Sequence, residues 1–293
     1  MKDSRIGIDA RMLAHEQAAE LNSKLTPKSS KLIYPPQNFV DLIWKDKPLR
    51  KKAPIFIQPA EFTGLEASSK LADLRHWVKK QKPSTPSYSK APATPAQKHV
   101  ATLVTSLSSI AYLLNLRGQD IPFNPLFQSY FFLSLDRAIL FVDSAKVTDE
   151  VREYLRKLGI ERKEYNDLWT FLRRREWGEG KVLISPQTSY AISLMLTHFR
   201  YTIAPSMIDE RKAVKNETEI EGMRRAYLRD GAAYVKWLAW LENKLSGGYE
   251  ITEYEAAWRL TEFRRDNKHY WGLAYENISA SGPNAGASFL FVI

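Results

Sequence analysis

The chain of 293 residues contains no cysteine. That absence excludes disulfides, thiolate-bound zinc, iron–sulfur clusters and a cysteine nucleophile, and it accords with a reducing compartment. Long apolar runs are missing as well. Nothing approaches the roughly 18 consecutive apolar residues of a bilayer span, and the opening MKDSRIGIDAR has no signal-peptide core. The expectation is a cytoplasmic protein with no membrane partner.

Histidine is scarce. His15, His76, His99, His198 and His269 stand far apart in sequence. His15-Glu16 is not followed by the second histidine of a zinc helix, and no Gly-rich phosphate loop, G-x-S-x-G elbow or paired Asp-x-Asp appears. His269, in an aromatic-flanked polar turn over residues 264–270, could line a cleft; the others read as surface or core filler.

Charge and aromatic bulk are present. Forty-three basic residues against 33 acidic ones leave a formal net charge of +10. The clusters Lys79-Lys80, Arg173-Arg174-Arg175, Arg224-Arg225 and Arg264-Arg265 are short and dispersed, which describes a basic surface rather than a nucleic-acid footprint. With 8 Trp, 14 Tyr and 13 Phe in a chain 44% apolar, a folded core is expected.

Three regions are legible. In the first, Arg5-Ile6-Gly7-Ile8 and Lys31-Leu32-Ile33-Tyr34 are strand candidates around a helix over 14–25, and Asn38 caps a short helix through Trp44. A helix over 67–80 buries Leu71, Leu74 and Val78. Residues 81–97, rich in Pro, Ser, Thr and Ala, read as a flexible insert. From Val100 to about Pro205 the pattern is that of a complete α/β domain. Strands are expected at 100–104, 130–133, 138–142, 181–184 and 201–203, with helices at 109–116, 147–158, 166–175 and before Phe199. Leu135-Asp136-Arg137 makes the middle pair a hairpin.

The third region opens with Ile220, Met223, Tyr227, Gly231, Tyr234, Leu238, Leu241 and Leu245 at spacings of three and four, the mark of a long helix with a buried stripe. Asn216 with Glu219 caps its start, Gly247-Gly248 ends it, and Thr252 with Glu255 opens a second helix. An apolar tail, Phe289-Leu290-Phe291-Val292-Ile293, closes the chain.

Several strings are specific. Asn38 to Trp44 (NFVDLIW), Ile110 to Gly118 (IAYLLNLRG), Ile121 to Phe127 (IPFNPLF), Ala213 to Arg224 (AVKNETEIEGMR) and Ile278 to Ala285 (ISASGPNA) resemble aminopeptidase P. That is the Xaa-Pro aminopeptidase of the creatinase and methionine-aminopeptidase ("pita-bread") superfamily. The resemblance runs through nearly the whole chain in order and implies an α/β fold class. Residues 1–60 would belong to a first creatinase-N-like domain, 61–210 to a second, and 211–293 to the opening helices and first strand of a pita-bread catalytic domain, the chain being truncated at both ends.

The same resemblance implies removal of the N-terminal residue from peptides with proline in second position. It also implies two Mn²⁺ ions held by aspartates, a histidine and glutamates farther downstream. No residue of this chain stands at those positions, so no catalytic or metal-ligating residue is assigned and no manganese is expected to bind. Where the family carries Asp-Glu this chain has Ser108-Ser109, where it carries Trp it has Tyr112, and beyond the GPNA turn Gly286-Ala287-Ser288-Phe289-Leu290 replaces a His and Tyr. The tail reads as a splice or readthrough remnant. Arg117, before the Gly118 turn, is the candidate substrate contact. Proline-containing peptides are the partners of complete relatives, a homodimer is a candidate, and the other expectation for the chain is a noncatalytic interaction remnant.

Overall fold

A computed structural model describes residues 2–83, 93–197 and 199–286. Most of the expected insert, the apolar tail and His198 lie outside the described residues. Two compact units emerge: residues to Asp120 together with 126–214, and residues 121–125 together with those from Lys215 onward.

The first unit begins with a two-stranded parallel pair, β1 (Arg5–Gly7) and β2 (Lys31–Ile33), which sets Ile6 beside Leu32 across the crossover helix α1 (His15–Leu25). Helix α2 (Phe39–Ile43) starts where the Asn38 side chain accepts the Val40 N–H. There follow β3 (Phe56–Ile57), α3 (Ala60–Thr63), α4 (Ala67–Lys80), β4 (His99–Val104), α5 (Leu107–Leu114), β5 (Leu116–Arg117), β6 (Tyr130–Ser134) and β7 (Ala138–Phe141). The remaining elements are α6 (Asp149–Lys157), β8 (Ile160–Lys163), α7 (Asp167–Arg174), β9 (Lys181–Ile184), α8 (Tyr190–Leu196), β10 (Tyr201–Ile203) and α9 (Met207–Ala213).

Six strands form one mixed sheet in the order β10-β9-β4-β6-β7-β8. Because successive side chains point to opposite faces, each central strand divides its apolar residues between two cores. Val104, Phe131, Leu133, Ala138 and Leu140 join one face with Leu71 and Leu74 of α4, Ile110 and Leu114 of α5, and Val151 and Leu155 of α6. Leu103, Phe132, Ile139, Phe141, Val182 and Ile184 join the other with Leu168, Phe171 and Leu172 of α7 and Ile192 and Leu196 of α8. Burial on both faces explains why 130–133 and 138–141 are continuous apolar runs rather than alternating ones. The hairpin registers Phe131 with Leu140 and Leu133 with Ala138.

Three details differ from the sequence reading. Helix α5 starts at Leu107 rather than Ser109, because the Ser106 hydroxyl caps it, and it ends at Asn115 in the left-handed conformation (φ 50°). That conformation releases Leu116–Arg117 into a short strand paired with β3. The edge strand β8, sequence IERK, has a single buried residue, Ile160, and so carries no apolar alternation to read. Its charges suit an edge, where they discourage pairing with another chain.

The second unit holds α10 (Glu217–Ser246) and α11 (Glu253–Arg265), both opened by reciprocal capping boxes, Asn216 with Glu219 and Thr252 with Glu255. They pack antiparallel: Trp237 Nε1 donates to the Ala256 carbonyl at 2.7 Å, Arg264 pairs with Asp230 at 2.6 Å, and Asn267 donates to the Arg229 carbonyl at 3.2 Å. The face turned to α11 is therefore 230, 233 and 237, one residue away from the expected stripe. Ala233 is the sole fully buried residue of α10, its small side chain allowing the close approach. The expected stripe is not buried: Tyr227 is 78% exposed, and Tyr234, Leu238 and Leu245 are exposed with it. Residues 278–281, expected as a first strand, lie outside helix and strand, and no described neighbour pairs with them.

Candidate functional site

Arg117 sits at the C-terminal end of α5, where the last carbonyls of a helix need partners from outside it. Its Nη1 donates to the Ala111 carbonyl at 2.8 Å and the Leu116 carbonyl at 3.0 Å. Lys70 of α4, 5% exposed, does the same nearby. Its ammonium donates to the Tyr112 carbonyl at 2.8 Å and to Asn115 Oδ1 at 2.7 Å, and lies 3.9 Å from the Tyr112 ring centroid. Tyr154 of α6 donates to the Leu114 carbonyl at 3.0 Å; burial pushes its phenol up to about 12. Two cations and a phenol thus meet the negative end of the helix dipole. A side chain on Gly118 would place its Cβ 2.6 Å from that of Phe127, which fixes glycine directly after Arg117.

At the other end of α5 a cleft of about 300 Å³ opens. It lies at the carboxyl ends of β4, β9 and β10, which run parallel, the position where open α/β sheets bind ligands. Trp77, Leu74 and Met207 give it apolar walls, and Ser106, Ser109 and Asp209 bring polar groups to it. Ser109 donates its hydroxyl to Asp209 Oδ1 at 2.8 Å, while Lys212 donates to Ser108 Oγ at 2.8 Å and lies 3.4 Å from the same carboxylate. Ser108 and Ser109 thus share one network with a lysine and an aspartate. No histidine enters it; the Ser109 hydroxyl is held by the Asp209 carboxylate and the Ser108 hydroxyl by Lys212, so the arrangement gathers polar groups of both signs beside the cleft. Asp209 and Lys212 had no motif to announce them; they come from a turn of helix about a hundred residues beyond the serines.

The histidines remain apart. His15 Nδ1 lies 3.0 Å from Ser193 Oγ, joining α1 to α8, and burial lowers its basicity. His99 Nε2 lies 2.9 Å from Thr202 Oγ1; burial, and then the charge of Lys181, lowers its basicity too. His269 is exposed in a left-handed turn (φ 65°), outside the lining of the cleft. Among the described residues no group of three or more His, Asp or Glu is placed to hold a metal ion. The remaining residues add one imidazole, His198, and no carboxylate side chain. A two-metal centre needs several hard donors around each ion, and the residues present do not fit it.

Comparison with known proteins gives this geometry its relatives. Residues 46–219 match the model of the creatinase/prolidase N-terminal domain. The chain is 38% identical over 285 residues to a probable Xaa-Pro aminopeptidase P of Laccaria bicolor, covering 96% of this chain and 42% of that one. A probable Xaa-Pro aminopeptidase P of Sordaria macrospora is 37% identical, covering 95% of this chain and 45% of its own. The fold superimposes with a TM-score of 0.86 at 29% identity on the crystal structure of X-prolyl aminopeptidase from Caenorhabditis elegans, a cytosolic enzyme with a di-nuclear active site; 96% of this chain and 44% of that one are covered. The chain spans less than half the length of these relatives. It belongs to the creatinase/prolidase N-terminal domain family and is homologous to Xaa-Pro aminopeptidase P.

Proposed function

We propose that this chain is a noncatalytic portion of an Xaa-Pro aminopeptidase. On this reading residues 1–60 are part of a first creatinase-N-like domain, 61–210 a second, and 211–293 the opening of a metallopeptidase domain. The longer relatives would remove the N-terminal residue from proline-containing peptides in the cytoplasm with two manganese ions, and this chain would not. The observation that carries this reading is the donor set. The ions of such a hydrolase activate the attacking water and stabilise charge on the cleaved amide, and no described cluster of side chains here could hold them. Incubation of the purified chain with an Arg-Pro-Pro peptide and Mn²⁺ is expected to release no arginine and to retain manganese substoichiometrically. Metal-dependent release of the first residue would overturn the reading.

Arg117 is carried as the substrate contact of this proposal. It is half-buried, and its Nη1 is held in place by two carbonyls, so the guanidinium is pre-oriented. In titrations of the chain with the same peptide, Arg117→Ala is expected to weaken binding about tenfold, the loss of one charged hydrogen bond. Unchanged binding with lowered stability would assign Arg117 to anchoring the helix alone.

A second reading, an interaction or dimerisation module, is favoured by the exposed apolar residues of α10.

A further inference from the structure

Helix α5 leaves β4 across one face of the sheet, where Ile110 and Leu114 join the core, and α8 leaves β9 across the other, where Ile192 and Leu196 do. The two strands part between these departures. Thr102 beside Leu183 is their last register pair; beyond it Leu103 and Val104 pair with β6, and Ile184 pairs with Ile203. Neighbouring parallel strands whose connections run to opposite faces leave a crevice outside their carboxyl ends, and open α/β sheets bind ligands there. The cleft of about 300 Å³ is that crevice. The Thr102 hydroxyl, which donates to the Leu183 carbonyl at 3.1 Å, forms part of its lining.

Size and lining select the ligand. The volume stands at the small end of ligand pockets, which suits a solute of amino-acid size. Leu74, Trp77 and Met207 give it apolar walls, and among the described residues that line it Asp209 alone is charged. The Ser109 hydroxyl and the Lys212 ammonium both approach Asp209 Oδ1. The Asp209 side chain is nevertheless 59% exposed, and its Oδ2 receives no hydrogen bond from the described residues. Lys212 also donates to Ser108 Oγ at 2.8 Å, in the first turn of α5, where the helix dipole is positive. One negative and one positive group therefore stand side by side at the rim of an apolar cleft. The loop at 185–188, which supplies another wall, is held from α1. The Glu16 N–H donates to the Pro186 carbonyl at 3.1 Å and the His15 N–H to the Thr188 carbonyl at 2.8 Å, so the site is formed before a ligand arrives.

We propose that this cleft binds a small zwitterion with an apolar side chain, the chemistry of a free α-amino acid. Its ammonium pairs with Asp209 Oδ2, its carboxylate with Lys212, and its side chain lies against Leu74, Trp77 and Met207. A solute carrying one charge satisfies only one of the two partners. The inference does not rest on the peptidase reading.

The probes are L-leucine, 4-methylpentanoate, which lacks the ammonium, and 3-methylbutylamine, which lacks the carboxylate. Titration of the full chain, followed by NMR, is expected to give a dissociation constant of about 1 mM for L-leucine and binding at least about tenfold weaker for either relative, the loss of one charged hydrogen bond. Asp209→Asn should weaken L-leucine about tenfold and bind 4-methylpentanoate no more weakly than the parent does. Lys212→Met should weaken L-leucine by a similar factor and bind 3-methylbutylamine no more weakly. A variant that merely loses its fold would lose all three probes, and circular dichroism checks each one. No saturable L-leucine binding at about ten times the expected constant would overturn the proposal. So would either one-charge relative binding as tightly as L-leucine, or L-leucine binding that both variants leave intact.

Discussion

Replacing Lys146 by Met is expected to remove about 3–5 kcal/mol of stability, the cost of leaving one member of a buried ion pair without its partner. The Lys146 ammonium lies 2.6 Å from Asp120 Oδ2, with side-chain exposures of 4% and 3%. The same oxygen accepts the Gln128 N–H at 2.6 Å, while Oδ1 is buried without a partner. The pair stitches three segments, because the Lys146 carbonyl accepts the Ile55 N–H at 2.8 Å and the Asp120 N–H donates to the Leu126 carbonyl at 2.9 Å. In Lys146→Met the carboxylate keeps one hydrogen bond and loses its counter-charge in a site water does not reach. Asp120→Leu with Lys146→Met removes both charges, and its loss should fall to about 1–3 kcal/mol, mostly the abandoned Gln128 N–H. Urea unfolding of the two single variants and the double variant measures the coupling. A Lys146→Met midpoint close to that of the parent would show that the pair contributes little.

Phe171→Ala is expected to cost a similar amount, about 3–5 kcal/mol, for a different reason: an aromatic cavity in a core that cannot collapse. Phe171 is 1% exposed. Its ring stands edge-on to Phe132, with centroids 4.9 Å apart, and lies 5.4 Å from Phe141. Those two belong to adjacent sheet strands whose hydrogen bonds hold them in place, so they cannot follow a shrinking neighbour. Phe171→Leu, which keeps most of the volume, should cost less than half as much. The check is the same unfolding assay. Equal losses for Ala and Leu would point to lost ring–ring geometry rather than to the cavity.

Strands β4, β6, β7 and β9 were legible in the sequence because burial on both faces writes them as apolar runs bounded by polar turns, and the half-buried edge strand β10 was legible from its short β-branched and aromatic run. Helix α4 was legible from Leu71, Leu74 and Val78, all 1% exposed in the structure. The hidden elements are those held by partners distant in sequence. The two-residue strands β3 and β5 exist because Phe56 meets Arg117, and β8 exists because Phe141 offers Lys163 a parallel edge.

The stripe of α10 was legible as a period but not as a direction. Periodicity locates an apolar face without saying what stands against it, and Ala233 with Trp237 turned α11 toward the neighbouring side. In the candidate site, the string from Ile110 to Gly118 marked helix α5, while Lys70 and Tyr154 reach its C-terminal end and Asp209 and Lys212 its N-terminal end from other helices and left no mark in the sequence.

The mixed sheet also sets an order of events during synthesis. β4 lies between an antiparallel neighbour about 30 residues later and a parallel one about 80 residues later: Thr102 registers with Leu133 and with Leu183. As the chain leaves the ribosome, the hairpin of β6 and β7 needs only a three-residue turn and closes at once, and β4 can dock on it immediately. The far edge of β4 then waits, unpaired, until residue 184 has emerged, because distant parallel pairing must follow the local contacts. Through that interval the edge of β4 that will meet β9 presents unpaired backbone N–H and C=O groups to its surroundings, and the core that Ala101 and Leu103 join stays incomplete. The nascent chain is therefore most exposed to misassociation while residues 142–184 are being made, and the addition of β9 ends that vulnerability.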